Sequence, residues 1–141
     1  MIVNEGEFMK IKHFTDSDLD GISCGLLSEL VLEDCEVTTA GPNSIEDKLN
    51  RLFDQETKGR KLFDKIIITD MSVGEELAER IEKNEKYRVR LYDHHKSAEW
   101  LNKYEWALVK VEDDMGRALS ATEIYWQESV SKLLGKGAFA R

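Results

Sequence analysis

The chain is poor in several things at once: one proline, two cysteines and three histidines in 141 residues, and no long apolar run. Cys24 and Cys35 lack C-x-x-C spacing, so they read as reduced structural thiols and not as a thiolate metal site. No stretch approaches the roughly 18–20 apolar residues that span a bilayer. The first ten residues, with Glu5 and Glu7, lack the basic-then-apolar order of a secretory signal. The expectation is a cytoplasmic protein with no membrane partner, in which residues 1–8 form an extension without identifiable chemistry. Positive charge is scarce too: 20 Lys and Arg stand against 28 Asp and Glu, a net charge of −8. That balance argues against a protein that grips long nucleic acid by bulk electrostatics.

What is present is ordered. Hydrophobic residues make up 41% of the chain and fall in discrete blocks, as expected for one compact domain without linker, repeat or low-complexity tract. Strand character appears at Lys10–Phe14, Cys35–Thr39, Lys65–Thr69, Arg88–Tyr92 and Ala107–Val111. The run Ile66-Ile67-Ile68 suits a strand buried on both faces. Between them lie helical stripes: Leu26, Leu27, Leu30 and Val31; Leu49, Leu52 and Phe53; Leu77, Ala78 and Ile81; then Leu119, Trp126, Val130 and Leu133 in a last helix from about Arg117 to Leu134. The second helix follows the turn Gly41-Pro42-Asn43, with capping-box-like spacing between Ser44 and Asp47, and the third is expected to start after Ser72. Alternating strands and helices predict an α/β, doubly wound, mainly parallel five-stranded sheet covered on both faces. Ligands of such sheets bind beyond the carboxyl ends of the strands, where strand order reverses.

Those ends carry the chemistry. The first strand runs into Asp16-Ser17-Asp18-Leu19-Asp20-Gly21, the third ends in Asp70, and the fourth in Asp93-His94-His95-Lys96. One Asp after a strand is more often a helix cap than a ligand. Three within five residues repel one another near a partly buried strand end unless a cation sits among them. Oxygen-rich sites completed by imidazole suit Mn²⁺ or Mg²⁺, and Fe²⁺ less well, better than a thiolate zinc site. His13, on a strand whose side chains alternate faces, reads as a core or surface histidine and not as a ligand.

Asp18-Leu19-Asp20-Gly21, Asp70 and Asp93-His94-His95 resemble, in order and spacing, motifs I, II and III of the DHH phosphoesterase superfamily. That superfamily includes RecJ-type single-strand exonucleases, nano-RNases, cyclic-dinucleotide phosphodiesterases and family II inorganic pyrophosphatases. The resemblance covers about residues 10 to 126, ending in Ser120-Ala121-Thr122-Glu123. It implies a Mn²⁺-dependent phosphoesterase holding two ions, with Mg²⁺ as a substitute, and Asp70 bridging them. Asp18 and Asp16 would hold the first ion, Asp20 and His94 the second. His95 would contact the substrate phosphate as a catalytic residue, Asp93 would orient the histidines, and Lys96 would help bind substrate. Two such ions about 3.5–4 Å apart activate a water for in-line attack without a protein nucleophile. The implied substrate is a short oligonucleotide, a single-stranded nucleic acid end or a small nucleotide; the acidic net charge favours the short ones. The family's fourth-motif aspartate lies beyond the last helix, and Asp113 and Asp114 come too early to replace it. The expectation is therefore a single DHH-type metal-binding domain over residues 1–141, without the family's smaller C-terminal domain and with reduced activity.

Three rival readings use the same residues. A haloacid-dehalogenase-like phosphatase would make Asp18 a nucleophile and Asp20 its acid/base. A receiver-like signalling domain would make Asp70 a phosphoacceptor near Lys110. Neither of these gives His94 and His95 a role. A degenerate module of the DHH type would bind metal or nucleotide without turnover.

Overall fold

The computed structural model describes residues 9–136. Its five strands, β1 (Ile11–Asp16), β2 (Cys35–Ala40), β3 (Lys65–Thr69), β4 (Val89–Asp93) and β5 (Ala107–Val109), form one parallel sheet in the order β2-β1-β3-β4-β5. This is the doubly wound α/β architecture that the alternating pattern predicts, with strand order reversing between β1 and β3. Among the described residues no helix is long and apolar enough to cross a membrane.

The two-residue period of β3 sorts the core. Ile66 and Ile68 face one side with Phe14 and Leu91, where they meet α2 (Ile45–Thr57), α3 (Glu75–Arg80) and the 3₁₀ segment Lys96–Lys103. Ile67 faces the other side with Ile11, against Cys24 of α1 (Leu19–Val31), Ala121 and Tyr125 of α4 (Ala121–Tyr125), and Val130. Each fully buried Leu or Ile contributes about 1.5–3 kcal/mol of hydrophobic stabilisation. A π turn (Trp126–Val130) joins α4 to α5 (Ser131–Lys136), and another (Ile81–Glu85) extends α3. At the amino end of β4, Arg88 is buried against Glu56 and Glu85 and also donates to the Phe63 carbonyl at 2.7 Å. The pairing leaves no lone buried charge there.

Several expectations need correction. Leu26 and Leu30 point to solvent; the face that α1 lays on the sheet is Gly21, Cys24, Gly25 and Ser28, with Leu27 and Val31 packed at its margin. Close approach is the reason: a Cβ at Gly25 would stand 2.9 Å from Val37 Cγ1, and one at Gly21 would collide with the Asp16 carbonyl. Only small residues fit beneath the helix, so its large ones turn outward. Ser44 builds no capping box with Asp47; its hydroxyl accepts from the Gly41 amide (3.0 Å) and closes the preceding turn. A complete capping box stands instead at Ser120 and Glu123, so the last helix begins at Ala121, with Leu119 buried in the loop before it and Trp126 partly exposed. The third helix starts at Glu75, after Gly74, whose amide donates to Glu46 (2.7 Å).

His13 is fully buried and belongs to a chain of hydrogen bonds whose direction can be worked out. Thr15 donates to the Gly21 carbonyl (2.8 Å) and Thr69 donates to Thr15 (2.7 Å). The Thr69 oxygen must therefore accept from His13 Nε2 (2.7 Å), leaving Nδ1 to accept from Ser28 (2.7 Å), which in turn accepts from Tyr125 (2.6 Å). A neutral Nε2–H imidazole satisfies every member. Burial holds His13 down at about 3, from 6.5. Of the core and surface placements that its strand left open, the structure selects the core.

Two outcomes are expected. Gly21→Ala destabilises the fold by about 3 kcal/mol, read by urea unfolding; a neutral effect would mean that α1 can lift off Asp16. Because the folded state resists protonating His13, its stability is complete above about pH 6.5 and declines as pH falls towards 3. At pH 5 the loss is about 2 kcal/mol. His13→Gln, compared with the parent at pH 7 and pH 5, flattens that dependence by the same amount, and parallel pH profiles would contradict the assignment.

Candidate metal centre

Parallel register brings the three motifs to one level. Thr15 pairs with Thr69 and Thr69 with Tyr92, so Asp16, Asp70 and Asp93 end neighbouring strands side by side. Asp70 donates its amide to the Tyr92 carbonyl (3.0 Å) and then turns sharply with φ 61°, a left-handed conformation that Asp and Asn tolerate better than other side chains. That turn buries its carboxyl, 1% exposed, in the crevice between β1 and β4.

Asp70 is common to two groups of potential ligands. One atom each from Asp16, Asp18 and Asp70 lie within 4.8 Å of one another, and so do one atom each from Asp70, Asp93, His94 and His95. His94 Nε2 donates to Asp70 Oδ1 (3.0 Å), and His95 Nδ1 donates to Asp93 Oδ1 (2.8 Å), which leaves the outer nitrogen of His95 free. Among the described residues, the second oxygens of Asp70 and Asp93 are buried without any hydrogen-bond partner. Buried carboxylate oxygens are seldom left so, and here two lie in one crevice. Desolvation first, then Asp18, Asp20 and Asp93, push the Asp70 carboxyl up to about 8. A shared hydrogen bond with Asp70 moves Asp18 the other way, helped by the Gly21 amide and the two histidines. Asp93 is also raised, by burial. Without a cation, this environment favours the neutral, protonated form of the Asp70 carboxyl. The donor set fits a hard divalent ion, being carboxylate and imidazole with no thiolate in either group.

The remaining expected residues divide. Asp18 caps α1 through the Gly21 amide (2.8 Å) while belonging to the first group. Asp20 stands 3.4 Å from His94 Nε2, yet its carboxylate accepts from the first turn of α4: Ala121 N (2.9 Å), Thr122 N (2.9 Å) and Thr122 Oγ1 (2.6 Å). Lys96 is exposed and lines a cleft of ≈ 350 Å³ with Lys110, Glu99 and Glu112. Arg117, which is not among those expected residues, is committed to Asp113 (3.1 Å) and Glu123 (3.0 Å). Thr122 is the site residue that sequence reasoning passed over as part of a helix, because nothing local marks a partner about a hundred positions away.

No family model matches the chain. It is 35% identical over 116 residues to oligoribonuclease NrnB of Bacillus subtilis (strain 168). The chain belongs to the DHH phosphoesterase superfamily. The match covers 80% of this chain and 29% of the relative, so the chain spans under a third of that protein's length. A crystal structure of an uncharacterized protein from Helicobacter pylori G27 shares the fold, with a TM-score of 0.68 at 19% identity over 92% of this chain and 37% of that one.

Asp70→Asn separates the site's cost from its use. Ionising a buried Asp70 destabilises the metal-free fold as pH rises from about 4 through about 8. Asn keeps the shape and the left-handed turn without that charge. The variant is expected to melt higher than the parent at pH 8 but not at pH 4, and to lose any stabilisation by Mn²⁺. Scanning calorimetry with and without Mn²⁺ reads both; a metal response preserved in the variant would remove Asp70 from the centre.

Proposed function

We propose that this chain is the metal-binding catalytic part of a phosphoesterase that hydrolyses phosphodiester bonds of short oligonucleotides or single-stranded ends, using two Mn²⁺ ions or Mg²⁺ in their place. The observation that carries the reading is Asp70: a buried, unpartnered carboxylate oxygen on the residue common to both ligand groups. Asp16 and Asp18 would hold one ion, His94 and Asp20 the other, with Asp70 between. Bound there, the ions supply an acidified water and neutralise phosphoryl charge.

The protein's own residues account for the rest. Asp93 holds the His95 ring through Nδ1, so Nε2 of a half-exposed imidazole is presented to a phosphate oxygen. Its proton on Nδ1 is kept by the carboxylate, which makes Nε2 an acceptor until the ring is charged and a donor afterwards. Lys96, which follows His95 in the chain, would contact a neighbouring phosphate. The similarity to an oligoribonuclease supports a short nucleic acid substrate, as does the acidic balance of the chain. In this reading residues 1–141 act as one domain. Against a phosphoacceptor switch stands the burial of Asp70, since its carboxyl is out of reach of a phosphodonor.

The test is release of mononucleotides from a labelled oligoribonucleotide of two to five residues in Mn²⁺. Asp18→Asn and His94→Ala are expected to abolish release, and Asp93→Asn to lower it about 10–100-fold. Release that persists in excess chelator, or in Asp70→Asn, would overturn the reading.

A further inference from the structure

Beside the expected ligands, the structure shows an unexpected use of backbone. The first turn of α4 already has its own cap: the Ser120 hydroxyl accepts from the Glu123 amide (3.1 Å), and Glu123 accepts from the Ser120 amide (3.2 Å). The next two amides, Ala121 and Thr122, are groups that a helix normally leaves to water. Here both reach Asp20, as does the Thr122 hydroxyl. A helix that is already capped has little need of this carboxylate, so the contact serves Asp20 more than α4.

The donors are unevenly shared. Asp20 Oδ1 takes two of them, Thr122 N (2.9 Å) and Thr122 Oγ1, the hydroxyl lying closer to Oδ1 (2.6 Å) than to the Asp20 carbonyl (3.0 Å). Oδ2 takes only Ala121 N and is the oxygen that stands 3.4 Å from His94 Nε2. We propose that Thr122, with the first turn of α4, is a positioning residue that makes Asp20 a one-oxygen ligand: it occupies Oδ1 and offers Oδ2 to the ion shared with His94. This rests on the two-ion reading above. Outer hydrogen bonds of this kind fix the orientation of a ligating carboxylate, and losing one typically weakens metal affinity about 10–100-fold. Thr122 is itself anchored: its hydroxyl lies 3.7 Å from the buried Cys24 thiol, and the Glu123 beside it is held by Arg117.

The test is Mn²⁺ titration by calorimetry on the chain, comparing the parent with Thr122→Val, Thr122→Ser, Asp20→Asn and the double variant Asp20→Asn/Thr122→Val. The parent should bind two ions. Thr122→Val should weaken one step by 10–100-fold and spare the other, Thr122→Ser should restore it, and Thr122→Val should cost nothing further once Asp20 is Asn. Metal-free melting checks folding; if the Val variant melts early, Thr122→Ala replaces it in the same comparison. Two parent-like affinities in a folded Val or Ala variant would overturn this proposal and leave the two-ion reading standing. No Mn²⁺ binding by the parent would overturn both.

Discussion

The structure is organised around a carboxylate taken out of water. Asp70 sits where strand order reverses, in a left-handed turn, with other acidic groups around it and one oxygen that no donor of the described residues reaches. Moving such a group out of water costs several kcal/mol unless it is neutralised. Without a cation the neutral, protonated carboxyl is favoured; the same geometry suits a divalent cation. The sheet accepts this local cost because its remaining core is conventional, with isoleucines, leucines and phenylalanines sealed on both faces.

Around that centre two polar connections run between α1 and α4. His13 runs a directed line of hydrogen bonds from Tyr125 on α4 to the Gly21 carbonyl at the start of α1. Asp20 closes a second connection between the same two helices. The two helices flanking the first motif are therefore tied together by polar contacts on one side of the sheet, which holds the acidic loop between them in a set shape. Rigid support of this kind is what a site needs when its ligands come from separate elements.

Much of the fold was legible before any coordinates. Continuous apolar runs marked β3, and alternating strands and helices left little choice but a parallel sheet with ligating residues at its carboxyl ends. The missed features share a cause. Leu26 and Leu30 read as a buried stripe because periodicity reports amphipathicity and not which face is inside; the small face of α1 won because the Asp16 backbone at Gly21 and the Val37 side chain at Gly25 lie too close for anything larger. Ser44 and Ser120 had comparable capping spacing, and only the turn around Gly41 diverted the former.

By itself the sequence determined the composition of the centre, since aspartates and histidines at strand ends are local facts of spacing, and the order of motifs places them in the superfamily. Tertiary structure decided what each one does. Strand register made Asp70 common to two ligand groups, desolvation set its proton, and the arrival of α4 about a hundred residues later took up one side of Asp20. Those outcomes depend on distances between elements, which residue order along the chain does not encode locally.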